Sequence, residues 1–157
     1  MLDYSRIGHT LLSMSKATQS AQDALLSLAT AWGRLERRLD ANLSNVRGIS
    51  FAEYRILQVL ASAPDGRASR VDLATAVGLT PSGVTRALRP LEKTRVVSTQ
   101  RSDRDARLAL ASLTKAGREL YDDASGVVDD VLSIVLRRVD KKKPTLSDVL
   151  EELSFAT

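Results

Sequence analysis

The sequence predicts a mainly α-helical fold with one small β-hairpin, and three observations predict it. A long apolar stripe at helical spacing runs through the first third of the chain. Two short segments follow, each opened by a capping residue. Two short β-prone runs then flank a polar, basic loop before helical periodicity returns.

The first helix reads from about residue 19 to 48. Leu25, Leu28, Trp32, Leu35 and Leu39 recur at steps of three and four, and Leu43 extends the stripe by a turn. The mean step of about 3.5 residues is the period at which helices pack along their length. This stripe serves either the chain's own core or a contact between subunits, because the helix is long for a chain of 157 residues.

Ser50-Phe51-Ala52-Glu53 fits a capping box that opens a second helix, with Phe51, Tyr54, Ile56, Leu57, Val59 and Leu60 as its apolar residues. Ala63-Pro64-Asp65-Gly66 has the turn chemistry to end it. Ser69 caps a short helix carrying Val71, Leu73, Ala74 and Val77, and Gly78 stops it in the left-handed conformation. Thr80-Pro81 reads as a cap and first-turn proline for a helix reaching about Thr94. Pro90 lies inside this helix and is expected to bend it or loosen its last turns. Val96 to Gln100 and Leu108 to Leu113 read as strands around the polar loop Arg101 to Arg107. Thr114 caps a last long helix with Leu120, Ala124, Val127, Val131, Ile134 and Val135 on one face. Asp140-Lys141-Lys142-Lys143-Pro144 breaks it, and a short terminal helix with Leu146, Val149, Leu150 and Leu153 follows.

Composition bounds the chemistry. With 43% apolar and 27% charged residues over this length, one globular domain spanning 1–157 is expected. Cysteine is absent, which excludes disulfides, thiolate metal sites and thiol-based sensing. The single histidine, His9, removes most imidazole chemistry and is assigned no role, and neither a metal nor a cofactor is expected. No nucleophile–base pair or glycine-rich phosphate loop is present, so an enzyme is not expected. Asp122, Asp123, Asp129 and Asp130 read as a solvated helix face, and Lys141-Lys142-Lys143 as a flexible basic linker or a contact to DNA phosphates or anionic lipid. No apolar run approaches a membrane span and the first twenty residues lack signal-peptide features, so a soluble, cytoplasmic protein is expected, with no membrane partner.

Charge is localised. The formal net charge is +4, but Arg67 to Arg107 holds nine basic and four acidic residues, so the whole excess sits there. A basic segment on a near-neutral body points to an anionic polymer as partner. Two short helices joined by a tight turn, the second of them basic, describe a helix-turn-helix, and the basic hairpin that follows makes it a winged one. Ala74 is small where the helices cross, Gly78 supplies the turn, and Leu79, Val84 and Leu88 are spaced to hold the second helix. Ser82, Thr85, Arg86 and Arg89 share the exposed side of that helix and can enter a major groove together. Arg86 is the foremost candidate, since a guanidinium donates two bonds to a guanine edge or holds a phosphate.

Leu79-Thr80-Pro81-Ser82-Gly83-Val84-Thr85-Arg86, then Leu91-Glu92, Arg104-Asp105-Ala106-Arg107 and Ser112-Leu113-Thr114-Lys115-Ala116-Gly117, resemble the MarR family of bacterial transcription regulators. The resemblance is close from about Ser50 to Tyr121 and extends to the flanks in helix layout only. It implies a winged helix-turn-helix lobe over about 50–113, with dimerisation helices over about 19–48 and 114–157 intertwined in a homodimer. It also implies a cytoplasmic repressor of an inverted-repeat operator on double-stranded DNA, released by a small, often aromatic, acidic ligand. Carried over, Ser82, Thr85 and Arg86 enter the major groove, Arg104 reaches the minor groove from the wing tip, and Asp105 pairs with Arg107 to shape the wing. Arg70, Thr80, Arg89, Lys93, Arg101 and Arg107 complete the expected DNA contacts. Ser102 departs from the family's frequent aspartate. Arg95 replaces the glycine that usually ends the recognition helix, so either a left-handed Arg95 costs about 1 kcal/mol or the helix ends differently and Arg95 meets phosphate. Trp32 and Tyr54 fit either core packing or the wall of a ligand pocket, and Arg55 either the surface or a ligand carboxylate. The alternative function is a helical dimer whose winged lobe binds protein, without a specific DNA site.

Overall fold

A computed structural model describes residues 4–63, 65–101 and 109–136, with the side chains of 22–63, 65–100 and 109–135. The elements in chain order are α1 (Tyr4–Arg47), α2 (Phe51–Ser62), β1 (Arg67–Ser69), α3 (Arg70–Val77), α4 (Pro81–Lys93), β2 (Val97–Arg101), β3 (Ala109–Leu113) and α5 (Lys115–Leu136). The fold is mainly helical with a small antiparallel sheet of order β1-β3-β2. The terminal break and helix expected after Asp140, with the lysine run, fall outside the described residues, as does the wing tip with Ser102, Arg104, Asp105 and Arg107.

Helix α1 begins at Tyr4, well before the stripe sets in, because no proline interrupts the segment ahead of it. Among its described side chains, Leu39 and Leu43 at its far end are buried by this chain, whereas Leu25 and Trp32 are 57% and 46% exposed. The chain then turns at Gly48, left-handed at φ +70°, and Asp40 of α1 accepts from the Phe51 amide at 2.8 Å, so the start of α2 is tied to α1. Ser50 and Glu53 form the expected capping box. Ile56, Leu57 and Leu60 of α2 form the centre of the core, with Leu73, Val84 and Leu88 packed around them.

Ser69 caps α3 in a second capping box, with Asp72 as its partner. Gly78 at φ +69° closes the helix: its amide reaches Thr75 O and that of Leu79 reaches Ala74 O, a Schellman closure. Thr80 caps α4 through the Gly83 amide, with Pro81 in the first turn. Pro90, expected to bend the helix or loosen its last turns, does not end it early: α4 runs through it to Lys93, and Thr94 caps it. Pro90 lies on the exposed side of α4, where it removes one backbone bond and crowds the carbonyl four residues back without ending the helix.

Arg95 takes a left-handed φ of +60°. The Arg95 amide donates to Glu92 O at 3.1 Å and that of Val96 to Leu91 O at 2.8 Å, the closure seen at Gly78. Thr114 holds the same turn from the far side, its hydroxyl donating to Arg95 O at 2.8 Å. Gly117 explains the closeness of this approach: a Cβ there would stand 2.1 Å from Val96 O.

One element is not anticipated by the sequence, and one expectation is corrected. Strand β1, three residues pairing Ala68 with Ala111, is absent from the sequence reading because it is defined only by its partner. On α5 the buried residues are Ala124, Val128 and Val131, while Ile134 and Val135 are 49% and 37% exposed. Among the described residues no helix is long and apolar enough to cross a membrane.

Candidate functional site

Helix α4 divides cleanly. Val84, Leu88 and Leu91 are buried against α2 and α3, and Ser82, Arg86, Arg89 and Lys93 are exposed on the opposite side at spacings of four, three and four. The apolar residues fix which way the helix is turned, so the basic row faces solvent by necessity. Among the described residues no carboxylate pairs with Arg86, Arg89 or Lys93. The amino end of α4 adds two hydroxyls: Thr80 Oγ1 lies 3.1 Å from Ser82 Oγ. Thr85 is partly covered and donates to Pro81 O at 2.9 Å, which leaves its oxygen free to accept only.

Arg70 stands apart from this row. It opens α3, and its Nη2 lies 3.7 Å from Glu92 Oε1 on α4. Its Nε is buried without a hydrogen-bond partner among the described residues. Glu92 also accepts from the Thr99 hydroxyl of β2. Glu92 and Thr99 were not among the expected functional residues, because residues seven apart on different elements carry no local signal. Around them an open cleft of about 610 Å³ is lined by Arg70, Glu92, Arg95, Val97, Ser98, Thr99 and Thr114. Arg101 ends β2 opposite Ala109, at the base of the wing.

The residues weighed for a ligand separate. Trp32 is half exposed, which corrects the core-packing expectation, and its ring lies 6.2 Å from that of Phe51. Phe51, Tyr54 and Tyr121 continue this as a row, with Tyr54 and Tyr121 stacked at 5.8 Å. Tyr54 is buried, its hydroxyl 3.4 Å from Ser125 Oγ. Burial pushes the Tyr54 phenol above its ordinary range, against the lowering effect of the Ser125 bond. Arg55 instead donates to Ala76 O on α3 at 3.2 Å. Among the described residues no three His, Cys, Asp or Glu side chains cluster to hold a metal ion.

Comparison with known proteins places this geometry. Residues 47–108 match the model of the MarR family. No curated protein sequence matches the chain. Among solved structures, the transcriptional regulator BldR of Sulfolobus solfataricus superposes with a TM-score of 0.78 at 21% identity, over 88% of this chain and 94% of that one. Sco3205, a MarR family transcriptional regulator of Streptomyces coelicolor solved in complex with DNA, gives 0.75 at 27% identity, over 85% and 83%. BpsR of Bordetella bronchiseptica, whose DNA binding is regulated by 6-hydroxynicotinic acid, gives 0.68 at 17% identity, over 82% and 98%. The winged lobe of this chain matches the MarR family model, and the fold that carries it is shared with solved MarR-family transcriptional regulators.

Proposed function

We propose that the protein is a homodimeric transcriptional regulator that binds double-stranded DNA at a specific inverted repeat. The observation that carries the reading is the exposed row Ser82, Arg86, Arg89 and Lys93 on a helix whose other face is buried. A row of this kind fits a major groove, with Ser82, Thr85 and Arg86 toward base edges and Arg89 and Lys93 toward phosphate. Thr80, Arg70 and the wing residues Arg101, Arg104 and Arg107 add backbone and minor-groove contacts, with Asp105 shaping the wing through Arg107. The DNA-bound relative supports this reading.

Homodimerisation is supported by the uncovered apolar surface. Leu25, Trp32, Ile134 and Val135 are exposed on the two long helices, and a second copy would cover them. Two lobes related by a two-fold axis then present recognition helices about 34 Å apart, one helical turn of DNA. The finer reading is repression, relieved when a small acidic aromatic compound favours a lobe spacing that does not fit the operator. The relative controlled by 6-hydroxynicotinic acid supports that class of ligand.

The test is selection of duplexes from randomised DNA by the purified protein at two salt concentrations. Enrichment of an inverted repeat with half-sites one turn apart is the expected result. Binding without enrichment would leave only the electrostatic component, and no binding at either salt would favour a protein partner for the winged lobe.

A further inference from the structure

We infer that Glu92 is a positioning residue that locks the wing to the recognition helix and so sets the angle at which the wing meets DNA. The lock is a matter of this chain's own geometry, and its consequence for DNA rests on the reading proposed above. Glu92 sits one residue from the end of α4, partly buried, at the mouth of the cleft beneath the wing. Its Oε1 accepts from the Thr99 hydroxyl and lies 3.7 Å from Arg70 Nη2. One carboxylate oxygen therefore joins three elements: the start of α3, the end of α4 and the first wing strand.

Strand β2 leaves α4 through the turn Thr94-Arg95-Val96, which fixes one point of the hairpin. Thr114 and the pairing of β3 with β1 hold the hairpin's other strand, which leaves β2, an edge strand of the sheet, tied to α4 only through that turn. The Glu92–Thr99 bond supplies a second tie, two residues along β2, and so fixes the edge strand directly to the recognition helix. Thr99 is well placed for the purpose, because it lies opposite Ala111, which in turn lies opposite Ala68. Holding Thr99 thus holds the middle row of the sheet, and the ladder above it reaches Arg101 opposite Ala109 at the base of the wing. Arg70 acts as a counter-charge to the carboxylate, its Nη2 lying 3.7 Å from Glu92 Oε1 while the side chain stays 41% exposed.

Hydrogen exchange of the DNA-free protein tests the lock, and affinity for the selected duplex tests its consequence. In Glu92→Ala and in Thr99→Val, β2 amides are expected to exchange about fivefold faster, as loss of one hydrogen bond allows. The double variant should exchange no faster than either single one, and Glu92→Gln, which keeps an acceptor for Thr99, should stay near the parent. Amides of α2 should be unchanged in all four. Affinity for the selected duplex should fall about fivefold in both single variants, with base preference at the major-groove positions retained. Additive effects in the double variant, or equal acceleration in α2, would overturn the lock. A loosened β2 with undiminished DNA affinity would overturn the wing-angle role. If β2 loosens as expected while the parent protein selects no duplex, the lock stands and the DNA reading falls.

Discussion

Gly78 and Arg95 occupy the same left-handed position of the same helix closure, at φ +69° and +60°. In each the residue's amide reaches back three positions and the next amide reaches back five. A glycine adopts this conformation freely, whereas an arginine suffers a clash between its Cβ and the backbone. Arg95 is held there from outside by Thr114, which takes up its carbonyl. Arg95→Gly is therefore expected to stabilise the protein by about 0.5–1 kcal/mol, part of the relief being lost to the freer unfolded chain. Gly78→Ala should destabilise it by about 1 kcal/mol through φ alone, since its Cβ would meet nothing within 4 Å. Denaturant midpoints of the two variants should move in opposite directions.

Gly117→Ala tests a different constraint. Its φ is ordinary for a helix, but the new methyl would overlap the Val96 carbonyl. Either α5 withdraws or the Arg95–Val96 turn opens, and a loss of about 3 kcal/mol is expected. Thermal unfolding would measure it, and a variant as stable as the parent would contradict the close approach.

The basic row of α4 makes a prediction that separates its members. Arg86→Ala should weaken binding to the selected duplex by about 1–3 kcal/mol and relax base preference. Lys93→Ala should weaken all sequences alike and lower the salt slope by about one phosphate contact. Repeating the duplex selection with each variant distinguishes the two; equal loss on every sequence for Arg86→Ala would reassign that arginine to phosphate.

Tyr54 gives the fold an alkaline limit. Burial, followed by nearby Tyr121 and Asp129, holds its phenol above the usual range despite the Ser125 bond. The folded protein keeps this proton where the unfolded chain has released it. Its contribution is full below a pH of about 10 and is lost as pH rises through the folded-state pKa. Tyr54→Phe should flatten the alkaline limb of the stability curve, and cost about 0.5–1 kcal/mol at neutral pH for the lost bond to Ser125.

The proposed dimer makes a prediction for the exposed stripe of α1. Leu25→Lys and Trp32→Lys each place a charge on apolar surface that a second copy would cover. Each should raise the dimer dissociation constant by about tenfold or more. Sedimentation across a concentration series measures this, and an unchanged equilibrium in both would remove α1 from the interface.

Local chemistry made much of this fold legible in the sequence. Ser50, Ser69 and Thr80 each cap the helix expected of them, because a capping hydroxyl acts within three residues of itself. The basic face of α4 was readable for a similar reason, since its opposite face carries Val84, Leu88 and Leu91 at one spacing. What stayed hidden depends on partners distant in the chain. Strand β1 is three residues whose extended form comes from pairing with Ser112, Ala111 and Leu110. The Arg70–Glu92–Thr99 contact joins three elements that meet only after folding. Ile134 and Val135 matched the helical period of α5 but lie beyond the reach of this chain's own core.

The stitch between α5 and the Arg95–Val96 turn also decides where the chain tolerates a change in length. Thr114 binds both carbonyls of that turn, and Gly117 rests against one of them. A residue inserted between Lys93 and Val97, or between Leu113 and Gly117, would put every one of these partners out of step. Toward the opposite end of the hairpin, the pairs from Val97–Leu113 to Arg101–Ala109 are all made without any residue of the loop. Insertions and deletions should therefore gather beyond that pair, leaving the reach of the wing free to vary while its root stays fixed in length.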